Sequence, residues 1–331
     1  MKKVLTHLLP WLITAGALFV AFRGIDWGTL LDHIGSAHVP AILAAIGLTC
    51  CSYFLRARRW QLLFQERTLG YFRAVQVLIL GFFMNNVLPA RTGELVRAHM
   101  GSRITRETRT LVLATIASER LADGLTISIL FVAFALHLGD ETVSRNMLLV
   151  AGLFGVAAAG VIGALIVRRP LFALTDRLHR RYANRATSYL NDRFQVFVNG
   201  LAPLFSPSRI PVLILWSILI WAVELAVFVM VSEAYGANLP LPLCVLLLVA
   251  VNFSSLIPAA PGGIGVIEAV ATTVLVSVGV NRELALTMVL TQHAIQYLVV
   301  GLPGLGILVT WRSTLRQISS EEHGHRPALE S

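Results

Sequence analysis

Apolar residues in this chain come in long blocks. Continuous apolar runs occupy roughly 4–22, 38–56, 110–138, 147–167, 210–232 and 284–311. A bilayer core of about 30 Å needs about 20 such residues per helix, so each run predicts a membrane span. Two further apolar stretches, 71–90 and 241–280, are interrupted by proline, glycine and polar residues. The pattern predicts an all-α polytopic membrane protein with about six full spans plus two re-entrant broken-helix hairpins.

Composition supports this reading. Apolar residues make up 56% of the chain and charged residues 14%, against about 25% charged in an ordinary soluble domain. A soluble fold lacks the interior to hide so much apolar side chain. The formal charge is +9. With no nucleic-acid motif beside it, this charge points to anionic lipid headgroups at the cytoplasmic face and not to nucleic acid. Cys50, Cys51 and Cys244 all sit in apolar runs without metal or redox spacing. The N-terminal Met1-Lys2-Lys3 and its apolar run read as an uncleaved first helix.

Lysine and arginine set the orientation. With the N-terminus inside, 20 basic residues fall on inside segments, Arg56, Arg58 and Arg59 among them. Only Arg23, Arg145 and Arg282 fall outside. Both termini are therefore expected in the cytoplasm of a bacterial-type inner membrane. Segment 168–209 carries Leu171, Leu174, Leu178 and Tyr182 at helical spacing between arginines, which suits an amphipathic surface helix or a solvated linker. Residues 319–331 read as a disordered polar tail.

The two broken stretches share a pattern. Asn85-Asn86-Val-Leu-Pro89-Ala-Arg91-Thr-Gly93 matches Ser254-Ser255-Leu-Ile-Pro258-Ala-Ala-Pro-Gly262: two small polar residues, two aliphatics, Pro-Ala, then glycine. Arg97 to Arg109 is too charged to have crossed, so hairpin 71–109 enters and leaves on the inside. Hairpin 241–280 follows a loop poor in basic residues and enters from outside. Residues 1–138 and 139–318 are thus expected to form two repeats of inverted topology, the architecture that places a binding site where broken helices meet. Asn85, Asn86, Ser254 and Ser255 either cap the freed backbone or bind a ligand.

Run 110–138 adds charges within the membrane. Glu119 and Asp123 are four apart and share a helix face, with Arg120 between them. Their natural partners are Arg91, Arg97 or Arg120, and Glu94 joins the cluster. Glu224 and Glu268 read as lone acids, and Gln292, His293 and Gln296 as a polar stripe. Such groups are expensive in lipid and must pair or line a polar cavity. They predict either a headgroup site or a closed salt-bridge network. The outer tip, with Gly262 and Gly263, is nearly bare backbone. No GxxxxGK[ST] loop occurs.

At Asn86–Arg97, Glu119-Arg-Leu-Ala-Asp123 and Ile257–Glu268 the chain resembles the lysylphosphatidylglycerol synthase transmembrane-region family, also called flippase-like domain proteins. The resemblance covers nearly the whole chain. It implies movement of lipids across the bilayer: aminoacylated phosphatidylglycerol, hopanoids or polyprenyl-linked sugars. Aminoacyl transfer in that family belongs to a separate soluble domain. About 20 polar residues follow the last apolar run here, so no synthase activity is carried over. The expectation is a lipid flippase or transporter, passive or proton-coupled, with no catalytic residues, metal or cofactor. Its partner is a membrane lipid, and a homo-oligomer is compatible with the sequence. The alternatives are an accessory subunit or enzyme acting on lipid-linked substrates, and a carrier of small solutes.

Overall fold

A computed structural model describes residues 2–64, 69–88, 92–137, 185–201, 206–254, 257 and 260–324, with isolated positions 156, 159 and 177. Among them are 11 α-helices and no strand: α1 Lys2–Phe22, α2 Trp27–Gly35, α3 Val39–Leu63, α4 Tyr71–Val87, α5 Gly93–Thr105, α6 Arg109–His137, α7 Arg185–Gly200, α8 Ile210–Ala234, α9 Leu241–Ser254, α10 Val266–Ser277 and α11 Arg282–Gly324. A 3-10 turn, Pro261–Gly263, joins α9 to α10. Apart from positions 156 and 159, the expected span 147–167 lies outside the described residues, as do Arg91, Ser255, Pro89, Pro258 and most of segment 168–184.

Three of these helices are long and apolar enough to cross a bilayer: α3, α8 and the Arg282–Trp311 part of α11. Residues Leu9–Phe22 and Trp27–Gly35 form a further candidate, bent by 84°. The bend falls at Gly24 (φ +72°), and the Asp26 carboxylate caps α2 by accepting from the Thr29 N–H at 2.9 Å. α6 is 29 residues long but carries Glu119, Arg120 and Asp123 in its middle. α11 continues to Gly324, into the segment expected as a disordered tail.

Burial is inverted relative to a soluble protein. Phe72 (77%), Leu302 and Phe19 are largely exposed, while Arg56, Arg59, Arg97, Glu119, Asp123, Glu224 and Glu268 are buried. Apolar side chains facing outward cost nothing when lipid is the solvent, and charges then gather inside. One apolar core spans α3, α4, α6, α8, α9, α10 and α11.

The longest helix contact joins α3 and α8. They run antiparallel: the His38 N–H, before α3, donates to the Ala234 carbonyl at 2.8 Å. At the other end Arg209, before α8, donates to the carbonyls of Leu62 and Phe64 at 3.2 Å.

Both broken stretches are helix–break–helix pairs packed on themselves. In the first, α4 and α5 approach so closely at Gly81 and Gly93 that a Cβ on Gly93 would collide with the Gly81 carbonyl oxygen. The Gly93 N–H donates to the Asn85 side-chain oxygen at 2.9 Å, closing the tip. In the second, Gly265 (φ +85°) starts α10, and its N–H donates to the Glu268 carboxylate at 2.6 Å. The 3-10 turn of the second pair packs on α4 of the first.

Candidate functional site

Where α3 and α8 meet, each presents a polar stripe. Ser52, Arg56 and Arg59 follow the i, i+4, i+7 spacing of one helix face, as do Ser217, Trp221 and Glu224. Antiparallel packing sets them in register. Ser52 donates to Glu224, Arg56 pairs with Glu224 at 3.1 Å and lies over the Trp221 ring at 5.1 Å, and Arg59 donates to Ser217 at 2.9 Å.

α6 closes this seam from the side. Asp123 takes Arg59 at 2.7 Å and Arg56 at 3.3 Å, and the Trp221 indole N–H donates to it at 3.2 Å. One turn earlier, Glu119 pairs with Arg97 from α5 and stands 3.8 Å from Arg59. The Arg97 guanidinium rests 3.9 Å from the Trp60 ring centroid. At the rim, Arg120 pairs with Glu94 at 2.9 Å, both side chains more than a third exposed. Four guanidiniums thus meet four carboxylates. Balanced pairing is what makes burial of so many charges affordable.

This cluster has two faces. Arg59, Arg97 and Glu119 are sealed in protein. Arg56, Arg120, Asp123 and Glu224 line a cavity of about 370 Å³. Its remaining walls combine amides, tyrosines and a histidine (Asn86, Asn252, Gln292, Gln296, Tyr53, Tyr297, His293), aromatic rings (Phe82, Trp221, Phe228, Phe253), the aliphatic Ile127, Val251 and Ile267, and the Gly262 backbone. Tyr53 donates to the Gln296 side-chain oxygen at 2.7 Å.

On the far wall His293 of α11 meets Glu268 of α10, Nδ1 to Oε1, at 2.5 Å. With its other oxygen Glu268 holds the Gly265 N–H, so one carboxylate ties the hairpin tip to α11. The Tyr297 hydroxyl lies so close to Gly262 that a Cβ there would collide with it. Gly262 (φ +72°) needs both its missing side chain and its left-handed backbone. Among the described residues no group of three His, Cys, Asp or Glu side chains is placed to hold a metal.

The expected site residues therefore divide. Asn86, Arg120, Asp123 and Gly262 line the cavity. Asn85 closes the first tip, and Glu94 holds Arg120 at the rim. Arg97 and Glu119 pair behind the cavity wall, and Gly263 (φ +76°) completes the second turn. Buried Ser254 donates to the Val251 carbonyl at 2.8 Å, within its own helix. Glu268 anchors the second tip through His293. Arg91 and Ser255 lie outside the described residues.

Two readings change. Glu224 and Glu268 each have a basic partner and are not lone acids. Arg56 and Arg59, assigned from sequence to a cytoplasmic loop, belong to α3 and are buried in the charge cluster. Helix α3 extends past the apolar run, and carboxylates of α6 and α8 take the place of water around Arg56 and Arg59. The i, i+4, i+7 spacing of Ser52, Arg56 and Arg59 was the available signal.

The model of the lysylphosphatidylglycerol synthase TM region matches residues 8–304. The chain belongs to this family. A UPF0104 membrane protein of Pyrococcus horikoshii is 23% identical over 334 residues, covering 93% of this chain and 97% of that protein. A second, from Methanothermobacter thermautotrophicus, is 20% identical over 309 residues, covering 88% and 91%. Glycosyltransferase AglD of Haloferax volcanii is 26% identical over 344 residues, covering 92% of this chain but 54% of that protein. The chain is an integral membrane protein of the lysylphosphatidylglycerol synthase TM region family.

Proposed function

We propose that this protein moves a lipid between the leaflets of the inner membrane, passively or coupled to protons, with both termini cytoplasmic. The observation that carries the reading is the cavity of about 370 Å³ beside the meeting point of the two broken helix pairs. One wall supplies guanidiniums and carboxylates for a polar headgroup. The rest is aromatic, aliphatic and amide.

The pairing within the cluster suits reversible binding. Its charges balance, so an incoming phosphate must exchange with a carboxylate already in place. Arg120 is the guanidinium best placed for that exchange, since its side chain is 39% exposed and held by a single rim carboxylate, Glu94. A phosphate takes an arginine in bidentate fashion, which releases Glu94. The Glu268–His293 pair on the opposite wall is the candidate carrier of a coupling proton.

The reading includes an inverted repeat with about six spans, and hairpins entering from opposite faces. The antiparallel α3 and α8, each the helix before a broken pair, favour it, as does packing of the second tip against α4.

A liposome assay tests the proposal. Phospholipid with a fluorescent headgroup label is distributed over both leaflets, and a membrane-impermeant reductant bleaches the outer one. Protein-containing vesicles should lose the protected half of the signal, faster under a proton gradient of one sign if transport is coupled. Unchanged sidedness under gradients of both signs would overturn the reading. The similarity to a glycosyltransferase over about half of that protein supports a second reading: an accessory role in synthesis of lipid-linked glycans. In that case deletion would abolish glycan assembly while the purified chain leaves lipid sidedness alone.

A further inference from the structure

A second cavity of about 420 Å³ lies against the same hairpin tip. Trp11, Ala15 and Leu18 of α1, Pro261 and Ile264 of the tip, and Asn86 of α4 form its walls, and among the described residues no charged one lines it. Trp11 (59%) and Ile264 (41%) are exposed, as is Ala15, so the groove reaches the outer surface of the protein. Asn86 lines this groove and the polar cavity alike, and the consecutive residues Pro261 and Gly262 line one each.

The two elements are held at a set distance. The Ala260 N–H donates to the Thr14 hydroxyl at 2.8 Å. A Cβ on Gly265 would stand 2.8 Å from the Thr14 carbonyl oxygen and 3.0 Å from Leu18 Cγ. Helix α1 is therefore locked to the tip, and the groove is built into the packing.

We infer that this groove holds a hydrocarbon chain of the lipid whose headgroup occupies the polar cavity, with Asn86 at the junction. The inference rests on the transport reading above. An amphiphile needs a polar chamber with a lateral apolar exit, because every methylene drawn into polar surroundings costs free energy. A peptide would need backbone hydrogen-bond partners in the groove. Among the described lining side chains Thr14 accepts from Ala260, which leaves Asn86 to serve a whole segment. A small polar solute would make no use of the groove at all. A hydrocarbon chain matches both its lining and its connection to the charged cavity.

Cells expressing the protein are fed palmitic acid carrying a mid-chain diazirine, which enters every membrane lipid whatever its headgroup. The protein is purified, washed extensively in detergent and irradiated, and its adducts are mapped by mass spectrometry. Adducts should concentrate between Trp11 and Leu18 and at Ile264. Ala15→Trp, which fills the groove from an exposed position, should remove them and slow liposome lipid movement at least tenfold. Leu12→Trp, exposed on the same helix but outside the groove, should leave both readouts at the wild-type level. Evenly spread adducts, or wild-type transport by Ala15→Trp, overturn the chain path and leave the transport reading standing. Concentrated adducts in a wild-type protein that moves no lipid overturn both, and the groove is then the seat of a resident lipid.

Discussion

Replacing Arg97 by methionine removes a guanidinium from a place that water does not reach. Arg97 is 2% exposed, and among the described residues its partner Glu119 has one other cation within ion-pair distance. That cation is Arg59, 3.8 Å away and engaged with Asp123 at 2.7 Å. Breaking a buried ion pair from one side leaves an uncompensated charge and costs about 3–5 kcal/mol. Loss of the stacking on Trp60 at 3.9 Å adds about 0.5–2 kcal/mol. Partial compensation by Arg59 and protonation of Glu119 limit the total, so a loss of about 3–5 kcal/mol is expected. The double variant Arg97→Met/Glu119→Leu replaces the pair with apolar groups of similar size, a change that is often neutral. It should recover about 2–3 kcal/mol of that loss as coupling energy. Reversible unfolding by SDS in mixed micelles, followed by tryptophan fluorescence, gives both numbers. If the single variant loses under about 1 kcal/mol, or the double variant equals the sum of the singles, the sealed pair is not what holds α5 to α6.

Arg120→Ala should leave stability within about 1 kcal/mol, because its pair with Glu94 is partly exposed at the cavity rim, yet slow lipid movement in liposomes. Arg56→Ala, buried between Asp123 and Glu224, should instead lose about 3–5 kcal/mol in the micelle titration. Gly93→Ala puts a methyl group into the Gly81 carbonyl, backbone against backbone, so that neither side can yield. It should destabilise the protein by more than about 2 kcal/mol, as overpacking with strain does, and full retention of stability would mean that the α4–α5 approach is looser than described. Gly262→Ala collides with the Tyr297 hydroxyl at a backbone angle of +72°. Transport should fall and recover in part in Gly262→Ala/Tyr297→Ala, where the collision but not the strain is removed. Equal activity of the single and double variants would disconnect Tyr297 from the effect.

The pattern of the sequence alone determined the solvent of this protein. Apolar runs long enough for a bilayer, few charges and lopsided arginines require helices in lipid. Prolines and glycines inside the two further apolar stretches, 71–90 and 241–280, require breaks that must be buried. Glu119 and Asp123 could be recognised as inward-facing from their spacing and their cost in lipid. Their partners could not. Arg56 and Arg59 sit at the end of an apolar run, where the positive-inside rule reads arginine as a loop residue, and one-dimensional counting cannot see the carboxylates of α6 and α8 that solvate them. Likewise Glu224 looks isolated until antiparallel packing brings Ser52 and Arg56 against it, and Glu268 until α11 brings His293. Charge pairing inside a membrane is a contact between helices far apart in the chain, with sequence separations such as 67 for Arg56–Asp123 and 168 for Arg56–Glu224. Local sequence therefore decides which residues must turn inward, and only the packing of the helices decides which charge each of them meets and which of the pairs face the cavity.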